Sequence, residues 1–317
     1  MRKFSLFENT LEISSDDMVG KQFVCTFLKG GFGNQLFQFC HGYALSKILN
    51  WPLYLESRVG FWLDFKYRRK LEIDYIPFER LGLSSALYFS ASRIPLIGST
   101  VSELISGFKN SFYIKENPNY SFIDFNSIAE ALSDSDSCFV EGYWHNFDYF
   151  VSCLAELREL IVLPIPKKDY WHEMAAKIQD AQSVALCIRF YEEARKPNIH
   201  SRDERIKTVA DYNRVIDKIH KKVSSPQFFI FCTHLNPMLN EINLPDNSYF
   251  ITHDNGFVGT LERLWLQSQC NHHIINNSSF YWWGAWMSEY INDKSGFIFA
   301  ANNFLNPATP IKNWHLF

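Results

Sequence analysis

The sequence predicts an α/β protein of two domains facing each other across a cleft, each a parallel sheet with helices on both faces. Three observations carry this expectation. Short apolar runs alternate with segments of helical period, most cleanly beyond residue 184. The 317 residues suit one large domain or two of ordinary size. The stretch I-V-L-P-I-P-K-K-D at 161–169 holds two prolines two apart, a spacing that blocks helix and central strand alike and reads as a linker. The expected boundaries are an arm over 1–20, a first α/β domain over 21–165 and a second over 166–317.

Residues 1–20 are mixed and polar, with Asp16-Asp17 and no period, so they read as an arm. Phe23 to Leu28 is a strand-like run, followed by Gly30-Gly31-Phe32-Gly33-Asn34-Gln35. The helix that follows shows Leu36, Cys40, Tyr43 or Ala44, and Ile48 at helical spacing. Pro52 to Leu55 reads as the next strand, ending in Glu56. The stretch 57–137 is rich in aromatic residues and shows few clean periods. Cys138 to Gly142 reads as a strand and Phe147 to Leu160 as a helix. Beyond the linker come strand Val184–Phe190 and a helix with Val209, Tyr212, Ile216, Ile219 and Val223 on one face. Strands Phe228–Cys232 and Tyr249–Thr252, helix Thr260–Ser268, strand His273–Asn276, helix Phe280–Tyr290 and strand Phe297–Ala300 complete the series.

Composition removes several classes of function. With 47% hydrophobic and 21% charged residues and a net charge of −3, the chain is not disordered. It lacks the basic excess of a nucleic-acid binder, so no nucleic-acid partner is expected. No run approaches the ~20 apolar residues of a membrane span. The N-terminus, M-R-K-F-S-L-F-E-N-T, carries acidic and polar residues where a signal peptide has its apolar core. A soluble, cytoplasmic protein is the expectation. The seven cysteines, at 25, 40, 138, 153, 187, 232 and 270, form no C-x-x-C pair and mostly lie in apolar runs, so they read as reduced and buried. Aromatic residues make up 17%, which serves a core or offers faces for sugar rings.

Three segments carry chemistry. In strand–G-G-F-G-N-Q–helix, glycines admit a ligand to the backbone and the helix start offers free N–H groups to an anion. A plain strand-to-helix turn is the competing reading, and Leu36 stands where a dinucleotide fingerprint needs its third glycine. In Val184-Ala-Leu-Cys-Ile-Arg-Phe-Tyr-Glu-Glu193, Arg189 sits near the carboxyl end of a strand, the side where α/β sheets bind ligands. It either pairs with Glu192 or Glu193 or grips phosphate through its planar fork. The third segment is His272-His-Ile-Ile-Asn-Asn-Ser-Ser-Phe-Tyr-Trp-Trp-Gly-Ala-Trp286. Its Asn276-Asn277-Ser278-Ser279 run opens a helix and either caps it or holds phosphate oxygens. His272 and His273 point to opposite faces of a strand and have no third ligand, so no metal site is expected.

Together these segments resemble the family 11 glycosyltransferases, the α-1,2-fucosyltransferases, and the wider fucosyltransferase superfamily. The matching text is G-G-F-G-N-Q-L-F-Q-F at 30–39, E-G-Y-W-H-N-F-D-Y-F at 141–150 and H-H-I-I-N-N-S-S-F-Y-W-W-G-A-W at 272–286. Arg189 stands where the family's H-x-R-R-G-D motif has its first arginine. That motif reads Cys187-Ile188-Arg189-Phe190-Tyr191-Glu192 here, and the family's S-D-D segment reads Cys232-Thr233-His234.

The resemblance implies a GT-B-like fold of two Rossmann-like domains, with the acceptor on the first and the nucleotide-sugar on the second. It implies inverting transfer of fucose from GDP-fucose to the 2-hydroxyl of a terminal galactose, without a metal or other cofactor. Charge that builds on the departing β-phosphate must then be met by fixed cations and N–H groups. Arg189, Ser278, Ser279 and the N–H groups at the start of the last helix suit that task. Gly31, Gly33, Asn34, Asn277 and Phe280 join them as expected donor-binding residues. Inversion favours a base near the acceptor hydroxyl, for which Glu141, His145, Glu192 and Glu56 are candidates. The expected partners are the nucleotide-sugar and a glycan, free or lipid-linked, with peripheral membrane association compatible with the latter. Two other readings stand beside this one: an inactive sugar- or nucleotide-binding relative, and a transferase with a different nucleotide-sugar. Asp134-Ser135-Asp136 matches the D-x-D string of metal-dependent transferases, but in a polar loop that follows no apolar strand.

Overall fold

The computed structural model describes residues 12–13, 21–62, 64–65, 67–92, 106, 108, 110–132, 137–190 and 206–317. The chain divides into two compact units, Met1–Trp144 with Asp148–Leu157, and His145–Phe147 with Arg158–Phe317.

The first unit holds β1 (Glu12–Ile13), β2 (Phe23–Phe27), α1 (Phe32–Leu49), β3 (Leu53–Glu56), α2 (Val59–Trp62), β4 (Glu79–Leu81), α3 (Leu83–Ala91), β5 (Ser111–Lys115), α4 (Phe125–Ala131) and β6 (Ser137–Glu141). Its six strands pair in parallel in the order β1-β4-β3-β2-β6-β5. Every residue of the central strand β2 is buried, as expected of a parallel strand covered on both faces. Glu12–Ile13 lie inside the segment read as an arm, yet they pair with β4.

Aromatic side chains fill this core. Phe23, Phe27, Tyr88, Phe89, Phe108 and Phe139 pack together, with Tyr88 stacked on Phe139 at 3.7 Å. That packing explains why 57–137 resisted reading. Its elements are three to nine residues long, too short for a period to emerge, and their aromatic residues serve the core. The expected helix Phe147–Leu160 begins as two 3-10 turns, Phe147–Tyr149 and Val151–Cys153, and is α-helical only in α5 (Leu154–Leu160). Phe147, Phe150 and Cys153 are all buried and recur every three residues, the 3-10 period.

No regular element occupies 161–168, where the two prolines lie. The second unit continues with α6 (Asp169–Gln179), β7 (Gln182–Cys187), α7 (Val209–Lys222), β8 (Pro226–Phe231), β9 (Tyr249–Ile251), α8 (Thr260–Ser268), β10 (His272–Ile275), α9 (Ser279–Tyr290), β11 (Ile298–Ala300) and β12 (His315–Leu316). Its six strands are again parallel, in the order β12-β11-β10-β7-β8-β9. Helix α6 went unassigned in the sequence although Trp171, Met174, Ala175 and Ile178 give it a buried face at helical spacing. Helix α7 starts with a capping box between Thr208 and Asp211 and buries Tyr212, Val215, Ile216 and Ile219.

The register of this sheet places the site. Ala300, Ile275, Cys187, Phe231 and Ile251 are successive partners across β11, β10, β7, β8 and β9, and each ends its strand. The residues that follow them therefore leave the sheet along one carboxyl edge. Behind that edge Trp282, Trp283 and Trp286 are fully buried, with the Trp282 indole donating to the Thr309 carbonyl at 2.8 Å. These three rings are core, not sugar platforms. All seven cysteines are buried free thiols.

Candidate active site

Arg189 leaves the sheet two residues beyond β7, and Asn276 to Ser278 link β10 to α9 beside it. Backbone bonds fix both segments: the Ile188 N–H donates to the Phe231 carbonyl at the end of β8 at 2.9 Å, and the Asn276 N–H donates to the Cys187 carbonyl at the end of β7 at 3.3 Å. A third contact comes from the first turn of α9, where the buried Tyr281 hydroxyl donates to the Ile188 carbonyl at 3.4 Å.

Ser278 occupies the N-cap of α9 with extended backbone (φ −101°, ψ 124°), but its side chain makes no capping bond. Among the described residues its buried Oγ has no hydrogen-bond partner, and neither have the two side-chain polar atoms of Asn276. Each such atom costs about 1–3 kcal/mol when left unpaired. They lie at the N-terminus of a 12-residue helix, the positive end of its dipole. A hydroxyl donor and an amide donor at a helix N-terminus together suit phosphate oxygens. Asn277 plays a different part, its amide donating to the Asn303 carbonyl at 3.2 Å and holding the turn.

Sequence reading missed Arg263. It lies in the first turn of α8, with Nη1 on the Cys232 carbonyl at 3.3 Å, Nε on the Gly259 carbonyl at 3.4 Å and the guanidinium 6.0 Å from the Phe280 ring centroid. A cation at the start of a helix opposes the helix dipole, and that misplacement was the available signal. At the position of the S-D-D segment, a carboxylate arrives from the next strand end. Asp254 accepts from the Leu235 N–H at 2.7 Å and meets His234 Nδ1 at 3.0 Å, and the His234 contact holds its carboxyl below the usual range.

In the first unit, Gly30 turns at φ +79° between β2 and α1. Gly31 is the N-cap of α1, Gly33 lies in its first turn, and the Asn34 N–H donates to the Gly31 carbonyl at 2.9 Å. The start of this helix is met by the chain's own acid: the Phe32 N–H donates to Glu72 Oε2 at 3.0 Å. Gln35 closes the loop, donating to the Gly30 and Lys70 carbonyls at 2.9 and 2.8 Å and accepting the Glu72 N–H at 2.9 Å.

The candidate bases fare differently. Glu56 is fully buried and accepts the Arg58 N–H at 2.7 Å and the Val59 N–H at 3.2 Å, so it is a structural cap for α2. Glu141 ends β6, with Lys29 Nζ at 3.1 Å on one oxygen and the Tyr113 hydroxyl donating to the other at 2.5 Å. Desolvation pushes His145 down to about 4, so its imidazole is neutral at pH 7. Glu192, Glu193 and Asp134-Ser135-Asp136 lie outside the described residues. His272 Nδ1 accepts the Phe297 N–H at 2.9 Å, and burial pushes His273 down to about 3. Among the described residues no group of three or more His, Cys, Asp or Glu is placed to hold a metal ion. No helix among them is long and apolar enough to cross a membrane.

Residues 108–308 match the profile of glycosyl transferase family 11, more than half of the chain. The protein is thus a glycosyltransferase of α/β fold. It belongs to glycosyl transferase family 11. Among its relatives is an α-1,2-colitosyltransferase from Escherichia coli, 28% identical over 275 residues, covering 83% of this chain and 87% of that protein. The O-antigen biosynthesis glycosyltransferase WbnK from Escherichia coli is 23% identical over 288 residues, covering 83% of this chain and 89% of that protein. Among solved structures, the fucosyltransferase NodZ from Bradyrhizobium aligns over 83% of this chain and 92% of its own, with 12% identity and a TM-score of 0.46.

Proposed function

We propose that the protein transfers fucose, with inversion, from GDP-fucose to the 2-hydroxyl of a terminal galactose on a glycan. In this reading the second unit takes the nucleotide-sugar and the first takes the acceptor. The carrying observation is the edge shared by Arg189 and the buried Ser278 hydroxyl and Asn276 amide, unpaired among the described residues, at the N-terminus of α9. As the bond from the anomeric carbon to the β-phosphate oxygen breaks, negative charge grows on the diphosphate and positive charge on the sugar ring. Arg189 and the donors of α9 are fixed before the reaction and meet the first of these charges. The acceptor oxygen attacks from the opposite face, and its proton goes to a base drawn from Glu141, His145 and Glu192. No resident cofactor is needed in this scheme, because the cation and helix start do the work of a divalent ion. Such a reaction suits the cytoplasm, with a lipid-linked glycan as the acceptor, and the O-antigen relative supports an acceptor of that kind.

A second reading replaces fucose by colitose, favoured by the α-1,2-colitosyltransferase among the relatives. One assay separates the readings. GDP-fucose, GDP-colitose and UDP-galactose are each supplied with a β-galactoside acceptor, with and without EDTA. Transfer from GDP-fucose that survives chelation is the expected result. Transfer from GDP-colitose alone would replace the sugar, transfer from UDP-galactose alone would remove the guanine assignment, and dependence on added Mn²⁺ would restore the D-x-D reading. No transfer from any donor would favour the inactive relative.

A further inference from the structure

We infer that Arg263 supplies a second guanidinium to the nucleotide diphosphate, acting with Arg189 from a different helix. The inference rests on the proposed nucleotide-sugar reading and extends it to a residue outside the three motif segments. Phe190, beside Arg189, is buried and apolar, so no second cation follows Arg189 directly in the chain. Arg263 reaches the same place by another route. Cys232, whose carbonyl accepts from Nη1, follows Phe231, the register partner of Cys187 at the end of β7. Phe280, which lies under the guanidinium, belongs to the first turn of α9. Arg189 and Arg263 both exert their charge on Tyr281, the next residue of that turn.

The bonding of Arg263 is as telling as its position. Its two hydrogen bonds go to carbonyls and its third contact is an aromatic face, so no carboxylate neutralises it among the described residues. It is partly exposed at the strand edge, so a ligand can reach it. The two carbonyls fix the plane of the fork and leave Nη2 without a hydrogen bond among the described residues. A positively charged planar donor, held against the first turn of α9, matches a diphosphate and repels other cations. Its place in the first turn of α8, unfavourable for helix stability, then has a functional reason.

The competing account is that Arg263 only ties α8 to the end of β8. Binding of GDP, UDP, dTDP and their nucleosides to wild type, Arg263→Gln and Arg263→Lys separates the two, using calorimetry for the diphosphates and ligand-observed NMR for the nucleosides. Arg263→Gln should weaken GDP about 10- to 100-fold and leave guanosine unchanged, the size expected for a charge-assisted bond. Arg263→Lys should recover part of that loss. Unchanged GDP affinity in Arg263→Gln, or equal losses for GDP and guanosine, would overturn the inference. If Arg263→Gln does not fold, the same ratio is read from Arg263→Lys, where equal GDP and guanosine effects again count against it. Wild type that binds UDP or dTDP but not GDP would remove the guanine reading alone, and the ratio is then read with that nucleotide. Wild type that binds none of the three removes both.

Discussion

The Tyr281 hydroxyl reaches from the first turn of α9 to the carbonyl of Ile188, the residue before Arg189, at 3.4 Å. One bond thus joins the two segments of the proposed donor site, the end of β7 and the start of α9. Burial pushes the Tyr281 phenol well above its usual value, so it remains a donor at any working pH.

Tyr281→Phe tests that link. It leaves a buried carbonyl unpaired and should cost about 1–3 kcal/mol in unfolding free energy by urea melts. It should also lower kcat several-fold while the KM for acceptor stays near wild type, because Arg189 loses its anchor. A stable variant with full kcat would show that the contact positions nothing.

Ser278→Ala separates a cap from a ligand group. Loss of a working N-cap costs about 1 kcal/mol. The Ser278 hydroxyl caps nothing, so the variant should be at least as stable as wild type without ligand. Its affinity for GDP should nevertheless fall. A drop in the ligand-free melting temperature with unchanged GDP affinity would assign Ser278 to helix capping after all.

Acid should destabilise the fold through two buried histidines. His41 stacks on Trp144 with ring centroids at 3.8 Å, and burial pushes it, like His273, down to about 3. Both are neutral in the fold, while the unfolded chain takes up a proton on each near pH 6.5. Their stabilisation is complete above pH 6.5 and is lost as pH falls toward 3. The slope should approach about 1.4 kcal/mol per pH unit for each histidine within that window. His41→Phe keeps the stack and should reduce proton uptake on unfolding at pH 5 by about one. Equal uptake in both proteins would contradict this.

Much of the fold was legible in residues of the second half. Helix Thr260–Ser268 has the limits expected of it, and the strands around Cys187, Phe231 and Ile275 fall within a few residues of their expected ends. There the parallel strands are continuous apolar runs and the helices are long enough to show a period. The first half hid its elements because Tyr88, Phe89 and Phe108 come from short segments whose burial is set by distant partners such as Phe139. The candidate site was legible only where it lies in contiguous text, at Arg189 and Asn276–Ser279. Glu72, Asp254 and Arg263 were not, because each reaches its place through the fold and not through its neighbours in sequence. Glu56, one of four candidate bases, could not be told from a cap for a related reason: a strand-end acid looks alike in sequence whether it faces a ligand or caps the next helix.

The claim that Arg189 carries the leaving-group charge is tested most directly by kcat and melting temperature measured on one preparation of Arg189→Ala. The account predicts a folded enzyme with kcat lowered about 10²–10³-fold, the loss of about 3–4 kcal/mol of transition-state stabilisation, and little recovery in Arg189→Lys. A well-folded Arg189→Ala enzyme that keeps wild-type kcat would contradict it.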